Sequence, residues 1–256
     1  MRPALTICLL FCACANVAPV TPDIENHAPI ENTPTLERNL AATVSVFYTY
    51  KGYPSGEVFH EQVVGVVIDA MYVLTTPSSN GFDNQTDVRV TAYTPKTDSV
   101  APSDSLRAKI IANTSYVVIL EVSEPLPIQP IMFAVNGPPH AGEYVYAIGN
   151  TYKEQSLRIR SGIIVKPSQP TVRRWYNYSN YGQHANDLIL KFHPNEDSAP
   201  SGVFNQQQEF VGFLTKWTTS VKAVGARWSN YGYFVITPKT LAPYLQRFGI
   251  YTPTNE

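Results

Sequence analysis

The chain has 256 residues, 44% apolar and 15% charged, enough for one large all-β unit or for two small barrels sharing a core. With Lys+Arg 19 against Asp+Glu 20, no net field draws it toward nucleic acid or an anionic membrane. Twenty-one prolines, sixteen tyrosines and few long amphipathic runs favour short strands and many turns over helices.

Residues 1–15 read as a signal peptide. Arg2 gives a positive start, Ala4 to Ala13 is an apolar run too short to span a bilayer, and Ala13-Cys14-Ala15 is a small-x-small cleavage site. Secretion is expected, or delivery to the periplasm in a bacterium. The alternative of a lipid anchor on Cys14 fits poorly with Phe11 and Cys12. Cys8, Cys12 and Cys14 all lie in this segment, so a chain cut after Ala15 has no thiol for a disulfide, a metal site or a nucleophile. Residues 16–40 are rich in Pro, Thr and Asn without periodicity and read as a disordered tail.

Beyond it, Val44, Val46 and Tyr48 alternate as a first strand, and Lys51 to Gly56 is a turn. Val63 to Asp69 is a β-branched run with one glycine, followed by Met71 to Thr75; His60, just upstream, reads as a strand or loop histidine. Val88 to Tyr93 is a further strand, and Leu106 to Leu120 holds two more around a turn. Glu124 to Pro130 is a proline-rich crossing, which sets the boundary between residues 41–128 and 129–249. Then come GEYVYAIGN (142–150), SGIIV (161–165) and Leu188 to Phe192. Val203-Phe204-Asn205, three glutamines and Glu209 to Phe213 form a hairpin. Lys216 to Thr219 leads into a linker with Trp228, and Tyr231 to Ile236 is the last strand. A closing helix is capped by Thr240, admits Pro243 in its first turn, turns Leu241, Tyr244, Leu245 and Phe248 to one face and stops at Gly249, before a tail at 250–256.

Six of these motifs, over roughly residues 41 to 249, resemble trypsin-like serine proteases of the HtrA (high-temperature-requirement) branch, in that family's order. The carriers are VVGVVIDAMYVLT (63–75), LRAKIIANTSYVVIL (106–120), GEYVYAIGN, SGIIV, SGVFNQQQEFVGF (201–213) and YGYFVI (231–236). The resemblance implies two packed six-stranded antiparallel β-barrels with a short C-terminal helix. It also locates the triad: in register with the family's motifs, Ser78 falls on the catalytic histidine, Tyr116 on the orienting aspartate and Ala199 on the nucleophilic serine. A hydroxyl cannot serve as a base near neutral pH, and a neutral phenol cannot steady an imidazolium. The implied protein is a non-catalytic homologue, a pseudoprotease without cofactor, acting on a protein or peptide partner.

Two alternatives stand beside that expectation. Slipping the register makes Ser198 a surviving hydroxyl for a weak hydrolase, though Glu196 and Asp197 would crowd an oxyanion with negative charge and Pro200 restricts Ala199 to extended backbone. A structural or adhesive extracellular role is the other. Residues 167–187 have no counterpart in the family. There Arg173, Arg174, Trp175, Tyr176, Tyr178 and Tyr181 have the composition of an interface hot spot, against the plainer reading of a loop laid back on its own barrel. Asn-x-Ser/Thr sequons at Asn84, Asn113 and Asn177 could carry glycans in a eukaryote. Five histidines are too scattered for a metal site, and a monomer is the default expectation.

Overall fold

The computed structural model describes residues 23–25, 33–52, 54–77, 85–93, 101–113, 117–135, 137, 139–150, 156–165, 188–192, 201–223 and 226–250. Within them lie two helices and thirteen strands in two sheets.

The first sheet is a closed barrel of β2 (Thr43–Lys51), β3 (Val58–Asp69), β4 (Tyr72–Thr75), β7 (Val118–Val122), β6 (Leu106–Asn113) and β5 (Gln85–Ala92), in that order around the ring. Alternation explains it: Val44, Val46, Tyr48, Val66, Val73, Val90 and Leu120 are each at most 1% exposed and fill its core. Gly52 and Gly56 close the β2–β3 hairpin, with Gly56 N donating to Gly52 O.

The second sheet has seven strands ordered β1 (Asp23–Glu25), β9 (Arg158–Val165), β10 (Leu188–Phe192), β13 (Ala226–Ile236), β12 (Phe210–Ala223), β11 (Ser201–Phe204) and β8 (Tyr144–Gly149), with β8 also paired to β9. The stretch read from sequence as a linker with Trp228 is instead part of a long antiparallel ribbon. β12 and β13 stay in register from Phe213 opposite Ile236 to Ala223 opposite Ala226. Its polar and apolar residues alternate too weakly to announce a strand, and continuous backbone pairing supplies the order.

The tail expected over residues 16–40 is corrected in two places. Asp23–Glu25 is a strand parallel to Arg158–Arg160. Pro34–Ala41 is a helix, α1: Thr33 Oγ1 caps it by accepting from Leu36 N, Pro34 starts it, and Leu36 and Asn39 are buried. Eight residues, about two turns, are too few for a periodic signal, so its order comes from docking. Thr33 Oγ1 donates to Gln208 Oε1, and Asn39 Nδ2 donates to Gln208 O at 2.7 Å and to the Tyr146 hydroxyl at 3.4 Å.

The closing helix, α2, spans Pro238–Arg247 and begins earlier than the sequence suggested. Its cap is Thr237, not Thr240: Thr237 Oγ1 accepts from Thr240 N at 3.4 Å, and Pro238 takes the first helical position. Pro243 therefore lies inside the helix. Leu241 and Leu245 are buried, Tyr244 is 38% exposed, and Gly249 ends the helix at φ 69°.

Phe204, Phe210 and Phe213 from the second sheet share one apolar cluster with Val66, Leu74 and Leu120 of the barrel and with Leu36 and Leu241 of the helices. The segment between the sheets runs over this seam. Ile131 N donates to Val67 O of β3, and Phe210 N of β12 donates to Met132 O.

Candidate active-site groove

Three strand ends define the place where a triad would sit. β4 and β7 are antiparallel neighbours with Thr75 opposite Val118, so the chain leaving toward position 78 and the chain arriving from position 116 do so at one end of the barrel. β3 continues the row, with Gly65 opposite Thr75 and Val66 opposite Leu74. β11, entered just after position 199, packs on that part of β3: a Cβ on Gly202 would lie 2.9 Å from Val66 Cγ2. Only glycine allows so close an approach of the two sheets. The roots of all three segments thus meet in one neighbourhood. Ser78, Tyr116, Ala199 and Ser198 themselves lie outside the described residues.

Buried hydrogen bonds fix those roots. The Tyr48 hydroxyl, inside the barrel, donates to Thr76 O at 2.8 Å, and Thr75 Oγ1 donates to Val64 O at 2.8 Å. Burial, with the Glu61 carboxylate adding, pushes the Tyr48 phenol well above its ordinary value, so it stays a neutral donor. Across the two sheets, Tyr93 after β5 is hydrogen-bonded to the Asn150 side chain after β8; burial pushes Tyr93 up to about 12, against that bond.

Sequence reasoning passed over Ser201. It is 0% exposed at the start of β11, opposite Leu214, and its hydroxyl has no hydrogen-bond partner among the described residues. Polar composition could not reveal this; only the strand register places a serine on the same side as the core residue Val203. As a nucleophile it would need a base, and the described histidines are elsewhere. His60 is an exposed strand residue of β3 whose Nδ1 is 3.2 Å from Thr49 Oγ1. It is five residues along β3 from Gly65, which faces Thr75, about 16 Å at strand rise. His140 is exposed, near the tip of the β11–β12 hairpin.

His140, Glu143, Tyr144 and Gln206 are among the residues lining an open cavity of about 460 Å³ at the tip of the β11–β12 hairpin, the opposite end of β11 from Ser201. Arg173, Arg174, Trp175, Tyr176, Tyr178 and Tyr181 lie outside the described residues, as do Asn84 and Asn177; Asn113 is exposed at the end of β6. Among the described residues no three His, Cys, Asp or Glu side chains come together as metal ligands, and no helix is long and apolar enough to cross a membrane.

No family model and no curated protein matches the chain. Among solved structures it is similar to a serine endoprotease from Yersinia pestis, with a TM-score of 0.53 and 18% identity over 88% of this chain and 68% of that one. At that identity the likeness carries the fold alone, and the fold it carries is the trypsin-like one, of which the closed six-stranded barrel is the described half.

Proposed function

We propose that the chain is a catalytically inactive serine-protease homologue, exported, that works by holding a protein or peptide partner, as regulator, cofactor or decoy of a protease pathway or receptor. In this reading β8 to β13 form the second barrel, the β8–β9 pairing closing what β9, β10, β13, β12 and β11 begin. The observation that carries the proposal is the meeting of the strand ends at Thr75, Val118 and Ser201, where the sequence supplies Ser78, Tyr116 and Ala199 in place of base, orienter and nucleophile. A protease groove shaped to lie along an extended chain keeps that capacity without the proton relay. The 167–187 segment, with Arg174, Trp175 and Tyr176, is the binding surface we assign outside the groove.

The experiment is affinity capture from the native extracellular fluid by the tagged mature chain, repeated with Arg174, Trp175 and Tyr176 changed to Ala. Expected is a discrete partner whose recovery falls at least tenfold in the triple variant. Undiminished recovery removes the loop as the binding surface, and capture of nothing by either chain removes the binding role.

A further inference from the structure

β8 begins where β11 ends. The two strands are antiparallel, with Phe204 opposite Tyr146, so the turn that enters β8 and the turn that leaves β11 stand side by side. Each is fixed by hydrogen bonds of its own. In the first, Glu143 N donates to His140 O at 3.1 Å, Gly142 takes φ 91°, Gly142 N donates to Ile164 O of β9 and Ile164 N donates to Glu143 O. In the second, Asn205 N donates to Glu209 O, Gln208 N to Asn205 O and Glu209 N to Asn205 Oδ1, each at 2.9 Å, while Gln208 O accepts from Asn39 Nδ2 of α1. The open cavity of about 460 Å³ at these turns is therefore preformed.

Its lining selects a ligand class. Gln206 and Gln207 each bring amide donors and an acceptor, Glu143 brings acceptors, and His140 and the Tyr144 phenol bring a donor and an acceptor apiece. All five residues are exposed, and among the described residues none of their side chains has a hydrogen-bond partner. The described lining contains no Lys or Arg, and Glu143 is its one formal charge. An anion would meet that carboxylate with no cation to offset it, and a metal ion would find no third ligand among the described residues. An ammonium offers nothing for the amide N–H groups to donate to. An apolar ligand would strip water from the amides without replacing its hydrogen bonds. A neutral molecule dense in hydroxyls satisfies all of these groups, because each hydroxyl both donates and accepts. Tyr144 adds a ring to the site: it is 44% exposed and lies cross-strand from Ile163, 37% exposed on the same face of the sheet. An aromatic ring beside an aliphatic side chain receives the C–H face of a sugar while the amides take its hydroxyls.

We propose that this cavity is a binding site for a neutral saccharide, the terminal unit of a glycan whose remaining units stay in solvent. Tyr144 and Ile163 carry the sugar ring, and Gln206, Gln207 and Glu143 read its hydroxyls. Because the cavity is open, it suits one end of a larger chain better than a small molecule enclosed whole. The site goes beyond the binding role proposed above: it lies at the other end of β11 from Ser201 and uses neither the triad positions nor residues 167–187. A chain that proved to be a hydrolase, or whose 167–187 segment bound nothing, would leave it standing.

The test is an array of neutral oligosaccharides ending in glucose, galactose, mannose, fucose, N-acetylglucosamine or N-acetylgalactosamine, printed beside sialylated and de-N-acetylated twins. It is probed with the fluorescently labelled chain and with its Y144A, Y144F and Q206A/Q207A variants. Expected is binding to at least one neutral terminus, weakened at least tenfold in Y144A and in Q206A/Q207A and retained in Y144F, which keeps the ring. Y144F thereby separates loss of the sugar platform from loss of the phenol, and the exposed glutamine pair provides a variant that leaves the core untouched. Binding to no neutral terminus overturns the proposal. So does equal binding by all four chains, which would put the sugar elsewhere, or tighter binding of the sialylated or de-N-acetylated twins, which would make the ligand a charged one.

Discussion

The polar groups buried in the barrel and those buried in the second sheet are treated differently. In the barrel, Gln62 Nε2 donates to Ser45 Oγ at 2.9 Å, Thr43 Oγ1 to Asn39 O, Thr75 Oγ1 to Val64 O and the Tyr48 hydroxyl to Thr76 O. Against the second sheet, Ser201 Oγ and Asn39 Oδ1 are buried with no hydrogen-bond partner among the described residues. Satisfied groups rigidify a scaffold, whereas an orphaned one costs stability and is tolerated where another demand overrides it. Here Asn39 lies on α1 and Ser201 at the start of β11, beside the groove to which we assign function.

The sharpest blow to the shared core is Phe204→Ala. The ring is 0% exposed and packs against Tyr146 and Phe210, with centroids at 5.4 and 5.8 Å, so about 3–5 kcal/mol should vanish in urea unfolding. Next is Gly202→Val, which presses on Val66 and should cost about 1–3 kcal/mol; adding Val66→Ala should recover part of it, and additivity of the two changes would show that the sheets do not meet there. The contrast itself is tested by two serines. Ser45→Ala removes the acceptor of Gln62 and should cost about 1 kcal/mol. Ser201→Ala removes an orphan and should be neutral or stabilising by on the order of 1 kcal/mol; equal losses at both sites would erase the distinction between the two regions.

Titration gives the smallest effect. Burial raises the phenols of Tyr48, Tyr93 and Tyr146 above their ordinary value of 10.0, Tyr93 to about 12. Folded phenols hold protons that unfolded ones release above pH 10, so their contribution is intact below that pH and is lost as pH rises through the folded values. Melting temperature should fall from pH 10 toward 12, and less steeply in Tyr93→Phe; an unchanged slope in that variant would exclude Tyr93 as a source.

The barrel was legible because its strands alternate with period two, as Val44, Val46 and Tyr48 do in β2; in the second sheet the hairpin around residues 205–209 announces β11 and β12. Where periodicity was short or polar the sequence misled. α1 is two turns held by contacts of Thr33 and Asn39 with Gln208, 175 and 169 positions away. β1 is three residues ordered by backbone pairing with Arg158–Arg160. Of the candidate site, the strand ends at Thr75, Val118 and Ser201 could be anticipated from motif order. The orphaned Ser201 hydroxyl could not, since the face a serine takes is set by register and not by its own chemistry.

The central claim is that this protease fold carries no working nucleophile. Incubating the purified mature chain with a fluorophosphonate probe, with active trypsin alongside, tests it directly. The account predicts labelled trypsin and an unlabelled chain. Covalent labelling of the chain that disappears in Ser198→Ala or Ser201→Ala would contradict it.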